Sequence, residues 1–64
     1  MTTTQQAESL VAKVLAVASN DSTKTLFIRE LATYGWPKDA TLSDDSFELR
    51  CAIQDYAKTL EASL

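Results

Sequence analysis

Apolar residues recur along this chain with the period of a helix. Between residues 5 and 19, Ala7, Leu10, Val11, Val14, Leu15, Val17 and Ala18 fall within about 160° of arc on a 3.6-residue helix, with Glu8, Ser9 and Lys13 off that stripe. A strand needs strict alternation, which Leu10-Val11 followed by Val14-Leu15 does not supply. Three valines lower the helix propensity, and the alanines, leucines, Gln and Glu restore it. Thr3 or Thr4 is expected to cap the start. A break follows at Ser19-Asn20-Asp21-Ser22. There Asn20 can end the helix in the left-handed conformation, and Asp21 or Ser22 can cap the next. So short a connection predicts that the two helices it joins are near neighbours, antiparallel to each other.

A second helix is predicted over about 22–34, with Phe27, Ile28, Leu31 and Tyr34 on its buried face. Gly35 suits the position just past its end, and Pro37 cannot continue it. Trp36 is then placed to fold back on Leu31, four residues before Gly35. After a polar loop, Leu42-Ser43-Asp44-Asp45-Ser46-Phe47 reads as the start of a third helix over about 43–63. With Ser43 as cap, Leu42 and Phe47 occupy the two positions of a hydrophobic staple, and Asp44 and Asp45 complement the helix dipole. Leu49, Ile53, Tyr56, Ala57, Leu60 and Leu64 form its stripe. The pattern predicts one all-α domain over residues 1–64, a small three-helix domain built as a helical hairpin plus a third helix.

Length sharpens this picture. A 64-residue chain folds to roughly 4,000 Å² of surface from roughly 10,000 Å² unfolded. Apolar burial then contributes on the order of 90 kcal/mol against an ordering cost on the order of 95 kcal/mol. Such a chain needs a staple, very good packing or a second copy of itself. Cys51 is the only cysteine and there is no histidine, so neither an internal disulfide nor the usual zinc spacings are available. Self-association, as a homodimer, is the expectation that remains.

Chemistry is sparse. Without histidine, a glycine-rich loop or a basic neighbour for Cys51, the sequence points away from an enzyme and calls for no cofactor and no metal. Net charge runs from 0 over residues 1–20 to +1 over 21–38 and −4 over 39–64, totalling −3. The acids Asp39, Asp44, Asp45 and Glu48 cluster where the third helix begins. Their ordinary role is to complement the dipole and keep the chain soluble, and their functional alternatives are attraction to a basic surface or imitation of a phosphate backbone. The six basic residues form no stripe and pI ≈ 4.6 has the wrong sign for phosphate, so nucleic acid is not the expected partner. No apolar run is long enough for a membrane span, and Met1 to Gln6 lack the basic residues of a secretory signal, which places the expected chain in the cytoplasm.

The remaining signals are apolar residues off the main stripes. Phe47 and Cys51, four apart, lie about 160–200° from the centre of the third helix's stripe. They are either staple and filler or a second apolar face. A back stripe of Ser9, Ala12 and Ala16 is small enough for close helix approach, although alanine is also simply a good helix former. Trp36 beside Tyr34 adds aromatic surface of the kind that dominates interface hot spots. The expected function is a non-enzymatic protein–protein interaction module, a small modulator or inhibitor in the style of phage and operon proteins, that covers a surface of a larger protein. Its expected contacts are Phe47, Cys51, Trp36, Asp44, Asp45 and Glu48. The alternatives are a structural homo-oligomer subunit, and a small transcriptional regulator or acidic nucleic-acid mimic.

Overall fold

Three helices form in a computed structural model that describes residues 2–42 and 46–64. They are α1 (Thr3–Ala16), α2 (Asp21–Tyr34) and α3 (Phe47–Ala62), with no strand among the described residues. Each begins at a side chain that satisfies a free backbone N–H. Thr2 caps α1 in a reciprocal box, its Oγ1 accepting from Gln5 N while Gln5 Oε1 accepts from Thr2 N, both at 3.1 Å. Asn20 caps α2, its Oδ1 accepting from Thr23 N at 2.8 Å and from Thr23 Oγ1 at 3.0 Å. Ser46 caps α3, its Oγ accepting from Leu49 N at 3.1 Å.

These caps correct the expected boundaries. Thr2, not Thr3 or Thr4, starts the first helix, which ends at Ala16 through tightened bonds from Val17 N to Val14 O and Ala18 N to Leu15 O. Val17 therefore leaves the stripe assigned to it and is 77% exposed. Asn20 is extended, with φ −157°, and opens α2 instead of closing α1. Because Ser46 is the cap, Phe47 is the first residue of α3 and not its fourth. The Leu42–Phe47 staple is not made: Leu42 is buried in the core while Phe47 is 82% exposed. Ser43, Asp44 and Asp45 lie outside the described residues.

The core consists of Ala7 and Val11 from α1, Leu31 and Ala32 from α2, Leu49, Ile53 and Ala57 from α3, and Leu42 from the loop before it. Ile53 and Val11 are its largest fully buried side chains. Small alanines on all three helices let the backbones approach closely where the branched side chains fill the centre. Helix α3 packs extensively on both α1 and α2, whereas α1 and α2 barely meet. The hairpin expected from their short connection is thus splayed. Its two arms turn their apolar stripes toward α3, and the loop fixes only their covalent proximity.

The end of α2 is closed from across the molecule. Gly35 has φ 75° and ψ −163°, a region that essentially only glycine enters, and its N–H donates to Leu31 O at 2.9 Å. Gln54 of α3 donates from Nε2 to Ala32 O at 3.0 Å and to Thr33 O at 3.3 Å. Arg50, one turn earlier, donates from Nη1 to Trp36 O at 3.2 Å. Terminal carbonyls of α2 thus receive donors from a neighbouring helix, and the Arg50 charge complements the negative end of the α2 dipole. Trp36 packs against the core cluster, of which Leu31 is a member.

Candidate functional site

The seam that α1 and α2 leave open becomes a cleft of about 570 Å³. Its position follows from where the stripe of α2 is centred. The buried face of α2 is Ile28, Leu31 and Ala32, which puts the row Phe27–Leu31–Tyr34 along one edge of that face. This row forms one wall of the cleft. The residues 35–40 that follow Tyr34 close its end with Gly35, Trp36, Pro37, Lys38 and Ala40, and Val14 reaches it from α1. Tyr34, read from sequence as a core residue, is corrected here: it is 82% exposed and belongs to the rim.

Most of the cleft wall is apolar, with three aromatic side chains, Phe27, Tyr34 and Trp36. Charge enters through one acid, Glu30, and one base, Lys38, both exposed. Opposite single charges leave the lining with no net charge, so what most of the cleft offers is desolvation and aromatic contact. Trp36 is half-buried, and its Nε1 is shielded from solvent with no hydrogen-bond partner among the described residues. An orphaned donor costs about 1–3 kcal/mol. The fold tolerates that cost at this wall because Trp36 is held instead by apolar packing and by its carbonyl bond to Arg50.

The expected contact residues divide into two groups. Trp36 lies in the cleft wall. Phe47 stands at the first position of α3 and is 82% exposed, with Glu48 exposed beside it and Cys51 half-buried and free one turn later. Asp44 and Asp45 lie outside the described residues. Phe47, Arg50 and Gln54 share one stripe of α3. Arg50 and Gln54 reach the Trp36 carbonyl and the end of α2, while Phe47 opens the same stripe and is not among the residues that line the cleft. Sequence reasoning missed Phe27, Tyr34 and Val14 as cleft residues. Their spacing was visible, but an apolar row at the margin of a stripe looks the same as one at its centre.

Among the described residues, no group of three or more His, Cys, Asp or Glu side chains is gathered as a metal would require. No helix among the described residues is long and apolar enough to cross a membrane. Comparison with known protein families, with curated proteins and with solved structures finds no match for this chain.

Proposed function

We propose that this chain is a non-catalytic protein-interaction module, a small modulator or inhibitor that self-associates and covers an apolar surface of a larger protein. The observation that carries this reading is the aromatic cleft at the open seam of α1 and α2, with Tyr34 82% exposed on its rim; Phe47, equally exposed at the first position of α3, adds a second uncovered aromatic side chain. Monomeric domains expose single apolar residues routinely, and aromatic surface gathered around a concave wall is the composition of interface cores.

The overall dimensions support the same reading. A radius of gyration of 10.9 Å matches the roughly 10.7 Å of a compact chain of this length. The accessible surface of 4449 Å² nevertheless exceeds the roughly 4,000 Å² expected for the mass. Part of that surface is contributed by large apolar side chains left exposed, among them Val17, Leu26, Tyr34, Phe47 and Leu64.

Capture from a native lysate on immobilised protein tests the reading if the parent is run beside Tyr34→Ala and Phe47→Asp. The expected result is a protein retained by the parent and retained about tenfold less by both variants, a loss of the size that hot-spot truncation gives. Equal retention by all three, or none above blank resin, overturns it.

A further inference from the structure

We draw no further inference here: the strongest candidate, the apolar cleft at the open seam of α1 and α2 walled by Phe27, Tyr34 and Trp36, is an unpartnered face, and nothing in the structure shows what covers it.

Discussion

The two seams around α2 differ in kind. Toward α3 it is closed by interlocked apolar residues and by directional bonds, with Gln54 of α3 donating to carbonyls at its C-terminal end and Arg50 to the Trp36 carbonyl just beyond it. Toward α1 it makes little contact and leaves a cleft. Both seams involve the same helix with one apolar stripe, so hydrophobicity alone does not decide which closes. What the α3 seam adds is a polar side chain, Gln54, that reaches the terminal carbonyls of α2 beside the apolar stripe. Helix α1 answers α2 with little beyond Val14.

The sharpest way to break this contrast is at its apolar centre. Replacing Ile53, which is 0% exposed, with alanine is expected to cost about 2–5 kcal/mol. That rivals the roughly 3–10 kcal/mol total stability of a chain this long. Thermal unfolding of Ile53→Ala should therefore lose its cooperative transition, and a cost below about 1 kcal/mol would remove α3 from the centre of the fold.

Gly35→Ala comes next, at about 1–3 kcal/mol by chemical denaturation, because φ 75° with ψ −163° strains any side-chain-bearing residue. An added Cβ would meet its nearest neighbour, Gln54 Oε1, at an ordinary 3.7 Å, so the cost is in the backbone and not in crowding. Gln54→Ala should cost about 1–2 kcal/mol. Gln54→Glu should cost at least as much at neutral pH, since it brings a negative charge to the C-terminal end of the α2 dipole. If the glutamate variant were the more stable of the two, Gln54 would not be acting as a donor there.

On the open side, Tyr34→Ala should change the unfolding free energy by less than about 0.5 kcal/mol when measured at a dilution that keeps the chain monomeric. A larger loss would mean that the cleft rim belongs to the fold.

Helix number and approximate extent were readable from the spacing of Leu, Val and Ile, because a period of 3.6 persists over each segment. The starts were less so. Thr2-Thr3-Thr4, Ser19-Asn20-Asp21-Ser22 and Ser43-Asp44-Asp45-Ser46 each offer several competent caps, and which one is used depends on the turn that follows. A local signature does not discriminate even at the first, where Thr2 with Gln5 and Thr3 with Gln6 have the same capping-box spacing. The bonds of Arg50 and Gln54 could not be read, since they depend on how α3 is aligned along α2. Tyr34 went to the wrong class for a related reason: the width of a stripe does not reveal which edge a neighbour covers. Phe47 stood out because it lies across the helix from the residues that fill the core, and that signal survives whatever cap starts the helix.

The order of the helices has a consequence for biogenesis. Helix α3 joins the other two and is made last, while α1 and α2 have little to hold each other with. A nascent chain that has emerged only as far as Tyr34 has two amphipathic segments and no partner for either apolar stripe. Stable structure must therefore wait until Ile53 and Ala57 have left the ribosome, so folding is late and collective instead of progressive along the growing polypeptide.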